Sequence, residues 1–192
     1  MLLAVNAAVD PVKASGHEPI LELYMHDILG GSNPTARPIL VCLATSMEEP
    51  ACPARRFQDS PLGRGQTQLG PDGLGLGFGT ITVIDDILTT APELGSQNVG
   101  KAQGVYVASS ADGSTQMMAF IAMIEGGEYG DTLNFYGVFK IGSPMSHLSV
   151  TGGTGKFRSA SGFAEVRSLI PPGQYVTDGE ETLLRIIVHL SY

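Results

Sequence analysis

The sequence predicts an all-β protein with about eight antiparallel strands. Short apolar runs rich in Thr, Ile and Val follow one another from residue 78 onward, and glycine or proline turns separate them. The last run alternates, because Leu184, Ile186, Val188 and Leu190 share one face of an extended chain. Such alternation is typical of a half-buried strand. No helix is needed between the runs, so the pattern favours a barrel or a sandwich.

The expected strands are arranged at hairpin spacing. Ala111-Asp112-Gly113 separates two apolar runs, and a short glycine-containing link of this kind is a hairpin signal. The chain is thereby divided into strands expected at 20–28, 78–88, 104–109, 116–125, 131–139, 147–150, 162–170 and 182–192.

The run from Met117 to Ile124 is apolar on both faces and also contains good helix formers. As a helix it would be short and uncapped. As a strand, it would need cover on both faces, one inside a barrel and one against another surface. A neighbouring subunit would supply that cover, so a homo-oligomer is expected.

The length and the charge limit the possible functions. The chain has 192 residues and 20.1 kDa, which suits one domain. Its 11 basic and 19 acidic residues give a net charge of −8, which disfavours binding to nucleic acid or to an anionic membrane surface. No apolar run approaches the roughly 20 residues that a membrane-spanning helix needs.

The composition also indicates an N-terminal tail, a single domain and an insert within that domain. Residues 1–19 form an expected N-terminal tail, which lacks the basic start of a convincing signal peptide. The domain covers residues 20–192 and is interrupted at 32–69 by a proline-rich stretch without periodicity, which predicts an irregular insert. Cys42 and Cys52 both lie in this stretch, and whether they pair stays open.

No motif indicates a metal, a nucleotide or a redox cofactor. The glycine runs at 73–79 and 152–156 lack the spacing of phosphate-binding loops and are better explained as turns. The four histidines are scattered without the spacing of metal ligands. The expected protein therefore has no cofactor and no oxidising centre of its own.

Asp27 is the first candidate for chemistry. Alternation along the first strand puts it on the face of Leu21, Leu23 and Met25. Burial there would raise the pKa of its carboxyl, which could then serve as a general acid. Alternatively, Asp27 ends the strand and bonds to the Gly30-Gly31 turn. Asp85-Asp86, at the end of a strand rich in Thr, Ile and Val, is a second candidate acid pair, although such pairs more often cap a turn.

Four motifs carry a resemblance to a known family. They are Leu23-Tyr24-Met25-His26-Asp27-Ile28, the segment at 78–86, Gly100-Lys101-Ala102-Gln103-Gly104-Val105-Tyr106, and the segment at 148–157. Together and in this order, they resemble the dirigent proteins of plants. The segments at 126–131 and 171–192 most closely resemble the subgroup linked to lignin deposition in the Casparian strip.

The resemblance implies an eight-stranded antiparallel barrel of lipocalin-like shape, assembled as a homodimer or homotrimer and secreted to the apoplast. It implies that the protein binds phenoxy radicals from monolignols and directs their stereoselective coupling, while an external oxidase or peroxidase forms the radicals. This agrees with the absence of cofactor motifs.

The resemblance also implies site residues. Asp27 falls on a pocket aspartate of the first strand, and Tyr106 falls on a pocket tyrosine. Lignan-forming members carry an aspartate and an arginine seven residues apart, where this chain has Phe139 and Ser146. These two departures argue against coupling of the pinoresinol type.

Two further hypotheses remain beside the radical-coupling function. One is a cyclising enzyme of the same fold, in which Asp27 protonates a quinone methide. The other is a lipocalin-type carrier of aromatic ligands, which is disfavoured because the chain has no tryptophan.

Overall fold

The computed structural model describes residues 21–39, 78–125, 130–169 and 177–191. These residues confirm the all-β prediction, since their strands pair in chain order and close into a barrel. The strands are β1 (Leu21–Leu29), β2 (Ala36–Ile39), β3 (Ile81–Thr89), β4 (Asn98–Ala108), β5 (Thr115–Ile124), β6 (Asp131–Lys140), β7 (Ser146–Thr154), β8 (Ser161–Ser168) and β9 (Glu180–Ser191).

The described chain has nine strands, so the expected number of eight was wrong. The additional strand is β2, which begins inside the stretch interpreted as an irregular insert. It has only four residues, one of which is Pro38, and is too short to show alternation. Residues 40–69 of that stretch, both cysteines and the N-terminal tail lie outside the described residues.

The segment from Met117 to Ile124 is a strand and not a helix, because it forms most of β5. The segment is extended and pairs along its length with β4 on one side and β6 on the other. Its inner side chains are buried, whereas Ile121 on the outer face is 44% exposed. In the single chain, the inner face is thus covered by the barrel and the outer face remains open.

The barrel interior is filled by the inward side chains of neighbouring strands. Phe120 of β5 and Phe135 of β6 stack with their ring centroids 4.9 Å apart. Because neighbouring strands are mainly antiparallel, the ends of β1, β4, β6 and β8 meet the starts of β3, β5, β7 and β9 at one end of the barrel. We call this end the pocket end.

The Gly-Gly-Thr-Gly-Lys segment forms a corner at the opposite end. Gly155 has a φ of +59°, and a Cβ atom there would lie 2.1 Å from Asp131 Oδ1. The same carboxylate accepts a hydrogen bond from the backbone N–H of Lys156 and pairs with its Nζ at 3.1 Å. Gly152, Gly153 and Thr154 are the last residues of β7, so only Gly155 and Lys156 lie in the turn that the sequence predicted for the whole segment.

Candidate functional site

Asp27 lies on the inner face of β1, as the alternation predicts. It is only 5% exposed, and it pairs across the sheet with Thr182 of β9. Its Oδ1 atom has no hydrogen-bond partner in the described structure. The turn that follows β1 is held by another carboxylate, because Asp178 accepts hydrogen bonds from the backbone N–H and the hydroxyl of Ser32. The alternative role of Asp27 in that turn is therefore wrong.

Asp86 is a second buried carboxyl that the sequence reasoning did not place correctly. It does not cap a turn, because β3 continues to Thr89 and Asp86 points inward with no exposed surface. Asp85 faces outward instead, where Lys101 Nζ lies 3.0 Å away and the Gln103 amide donates a hydrogen bond of 2.8 Å. The two adjacent aspartates thus have opposite environments.

The pairing of β1 with β3 brings the two buried carboxyls together. Met25 pairs with Leu88 and His26 pairs with Ile87, so the next position places Asp27 across from Asp86. Beyond this point the two strands separate and β2 enters between them, with Ala36 paired to Leu29 and to Ile84. The carboxyl pair therefore lies at a fork in the sheet.

Thr35 fills this fork. Its backbone N–H donates to the Ile28 carbonyl at 3.0 Å, and its own carbonyl accepts from the Asp85 N–H at 2.9 Å. Its hydroxyl accepts from the Ile28 N–H and donates to the His26 carbonyl at 3.1 Å. The hydroxyl proton is thus engaged with the backbone, and neither oxygen of Asp86 has a hydrogen-bond partner among the residues that the structure describes.

Tyr106 completes the polar part of the interior. It lies on the inner face of β4 and is 3% exposed. Burial raises the pKa of Asp27 to about 7, although hydrogen bonding to the Tyr106 hydroxyl acts in the opposite direction. Burial, followed by the charge of Asp27, raises the pKa of Asp86 to about 9, although the neighbouring Thr35 hydroxyl acts in the opposite direction. Burial and then the same charge also raise the pKa of Tyr106 well above its usual value.

Phe139 and Ser146 lie near the same end of the barrel. Gly137 pairs with Leu148, and two further steps of this register place Phe139 opposite Ser146 across the β6–β7 hairpin. The seven-residue spacing in the sequence is therefore a cross-strand pairing in the fold. Both residues are buried, and the Lys140 N–H donates to the Ser146 hydroxyl at 2.9 Å.

The structure thus brings the four predicted residues to the pocket end, since each lies within the last or first few residues of its strand there. It adds Thr35, which no sequence signal indicates, and it places Asp86 in the interior, where the sequence favoured a turn cap. Asp86 could have been found by continuing the alternation from Thr82 and Ile84. Thr35 had no such signal, because it lies in a proline-containing connection.

The outer surface of β3–β6 carries an apolar face. Ile121, Tyr136 and Val138 are 44–53% exposed, and Val83 is also exposed. A shallow hollow of about 500 Å³ lies on this face between β4 and β6. We call this surface the outer apolar face; its members are Val83, Val105, Met117, Ala119, Ile121, Tyr136 and Val138.

Two classes of feature are absent from the residues that the structure describes. No three or more His, Cys, Asp or Glu side chains are grouped so that they could hold a metal ion. No described helix is sufficiently long and apolar to cross a membrane.

The fold and the interior define a closed β-barrel with acidic groups buried at one end. The family model for "Dirigent-like protein" matches residues 20–190, and the chain therefore belongs to the dirigent family. This confirms the resemblance found in the sequence.

Named relatives support the same assignment. The chain is 58% identical to Dirigent protein 16 of Arabidopsis thaliana, with 97% of this chain and 91% of the relative covered. It is 56% identical to Dirigent protein 18 of the same plant, with 100% of this chain and 93% of the relative covered. Among solved structures, the pterocarpan synthase dirigent protein GePTS1 has a TM-score of 0.62 and 27% identity, over 90% of this chain and 86% of the other.

Proposed function

We propose that this protein binds phenoxy radicals derived from monolignols at the pocket end of the barrel and directs their coupling. A separate oxidase or peroxidase forms the radicals, as the family resemblance implies. The same resemblance supports a secreted protein that acts in the apoplast during lignan or lignin formation, with the Casparian strip as the specific setting.

One observation carries the proposal of the site. Asp27 is a buried carboxyl with an unpartnered oxygen in an otherwise largely apolar interior. Buried polar atoms normally have a hydrogen-bond partner, so an unpartnered one is suited to a ligand that supplies the missing bond. A phenolic ligand has both parts that such a site needs, an aromatic ring for the apolar wall and a hydroxyl group for the carboxyl.

A cyclising reaction is the second candidate, and the raised pKa of Asp27 favours it. Asp27 would give its proton to the oxygen of a quinone methide. A hydroxyl group of the ligand would form the new C–O bond, and its proton would return to Asp27. This sequence is an isomerisation and needs no oxidant. Two solved structures similar to this chain are named pterocarpan synthases.

The two candidates are separated by incubation with coniferyl alcohol, with and without a one-electron oxidant, and by incubation with a quinone methide alone. Radical coupling requires the oxidant, whereas cyclisation of a quinone methide proceeds without it. Consumption of coniferyl alcohol by metal-stripped protein without any oxidant would contradict both candidates.

Asp27→Asn should fold normally and lose most of the effect of the protein on the product distribution. The substitution keeps the volume and the ability to hydrogen-bond but removes the transferable proton, which is typically worth about 10²- to 10⁴-fold in a general-acid step. Chromatography of the products measures the change, and circular dichroism checks the fold. Asp85→Asn is the matched control, because Asp85 is one residue from the buried pair but faces solvent. An unchanged product distribution in Asp27→Asn would make Asp27 a structural residue.

We also propose that the outer apolar face is covered by a second copy of this chain. The members of the face are uncharged, whereas the chain as a whole has a net charge of −8. Two copies of so acidic a protein repel one another least where they meet through an uncharged surface. The face also extends over four adjacent strands, and a contact between two equivalent faces would be symmetric.

Ile121→Asp should convert the oligomer to a monomer of 20.1 kDa. The substitution places a charge on the outer apolar face, where it would be buried without a partner in the complex. Size-exclusion chromatography with light scattering measures the mass. Ser191→Asp adds the same charge on β9, away from this face, and should leave the mass of the oligomer unchanged. A monomeric wild type, or an Ile121→Asp variant with the wild-type mass, would contradict the proposal.

A further inference from the structure

Asp86 is buried more completely than Asp27 and has no part in the function proposed above. It has no exposed surface, and within the described part of the chain neither of its carboxyl oxygens has a hydrogen-bond partner. It lies one position beyond the last β1–β3 pair, His26 and Ile87, as Asp27 does on β1, and the charge of Asp27 raises its pKa. A second unpartnered carboxyl in the same interior needs a physical explanation, since an isolated buried charge is strongly unfavourable.

The groups around the two carboxyls do not neutralise them. Tyr106 faces the pair from β4 and is itself an acid, while Asp85 on the outside of β3 adds a negative charge. His26 of β1 and Glu181 of β9 interact with each other on the other side of the sheet. Within the described residues, the lysine and arginine side chains lie on outer faces or in turns. Two interacting buried carboxylates, with no cationic side chain beside them among the described residues, are not both ionised at neutral pH.

The two carboxyls are not equivalent. Asp27 receives a hydrogen bond from the Tyr106 hydroxyl, which favours its ionised form. Thr35 beside Asp86 lowers the pKa of Asp86 less than burial and the charge of Asp27 raise it, since the Thr35 hydroxyl donates to the His26 carbonyl. We propose that Asp86 is a positioning residue that keeps its proton throughout the reaction, so that Asp27 alone exchanges a proton with the ligand. This inference rests on the proposed function of Asp27.

The neutral state of Asp86 limits the charge that the reaction creates. When Asp27 gives up its proton, the pair changes from neutral to a single negative charge, and it regains the proton when the ligand hydroxyl forms its bond. If Asp86 were already ionised, the same step would create two adjacent buried charges. Burial raises the pKa of both carboxyls, and the charge of Asp27 raises the pKa of Asp86 further, so the pair loses its two protons in separate steps.

The order of ionisation can be measured in the free protein by ¹³C NMR of the aspartate carboxyls over pH. Asp86 should titrate at higher pH than Asp27. Asp27→Asn should lower the titration midpoint of Asp86 by about one pH unit or more, because it removes the charge that opposes ionisation of Asp86. Asp86→Asn replaces one neutral group by another, so the midpoint of Asp27 should move by less than about half a unit. Asp85→Asn should shift the titration midpoint of Asp86 by less than Asp27→Asn shifts it.

Two results would overturn the inference: an Asp86 that titrates below Asp27, or an Asp86→Asn variant in which the midpoint of Asp27 falls by about one unit or more. In either case Asp86 is ionised before Asp27. The assay of product distribution tests the proposed function separately. If the titrations follow the expected order but Asp27→Asn leaves the products unchanged, the proposed function fails and the order of ionisation is confirmed.

Discussion

The stability of the wild-type protein should decrease as the pH rises from 5 to 7, and Asp86→Asn should remove about half of this decrease. The pKa of Asp86 is about 9 in the folded protein and 3.8 in the reference state. Between these values the folded state binds more protons than the unfolded state, so the free energy of unfolding falls as the pH rises. One such group contributes about 1.4 kcal/mol per pH unit, or about 3 kcal/mol between pH 5 and pH 7.

Urea unfolding at several pH values measures this effect. The free energy of unfolding of Asp86→Asn should rise relative to the wild type by about 3 kcal/mol over these two pH units, since the variant has no proton to lose at this position. Asp27 continues to titrate in both proteins. Asp85→Asn serves as the control, because Gln103 and Lys101 lower the pKa of the exposed Asp85. If the difference between Asp86→Asn and the wild type does not change with pH, Asp86 is not a buried neutral acid.

The sequence predicted the strands well because their side chains alternate over eight or more residues in most cases. β9 and β1 are examples: Leu184 and Ile186 face inward, and so do Leu23 and Met25. The same alternation placed Asp27 in the interior. These features depend on local periodicity, which a single sequence contains.

The fork between β1 and β3 could not be predicted in the same way. β2 has four residues and gains its position from pairing with Ile84 and its neighbours on β3, which are more than forty residues away in the chain. Asp86 was interpreted as part of a turn because two adjacent aspartates often cap one. The pairing of β3 with both β1 and β4 extends this strand past Asp86. Contacts between distant residues therefore decided the environment of the second carboxyl.

Phe139 and Ser146 are two uncharged residues at the pocket end, and their contact with a ligand is a prediction. They face each other across the β6–β7 hairpin, where lignan-forming relatives are expected to carry an aspartate and an arginine. Neither residue is charged, and Ser146 already accepts a hydrogen bond from the Lys140 N–H. The position therefore has an aromatic ring and a hydroxyl group in place of a pair of opposite charges.

We expect nearly racemic pinoresinol when the protein is added to coniferyl alcohol and a one-electron oxidant. A charge-assisted hydrogen bond to a phenol group is worth about 1.5–3 kcal/mol, and Phe139 and Ser146 supply none. Because about 1.4 kcal/mol corresponds to a factor of ten, the loss of one or two such contacts removes most of the preference between two faces of a radical. Chiral chromatography measures the ratio of the enantiomers, with the oxidant alone as the racemic reference. A strong excess of one enantiomer would mean that the Asp27, Asp86 and Tyr106 cluster, or another group, orients the radicals without the missing charges.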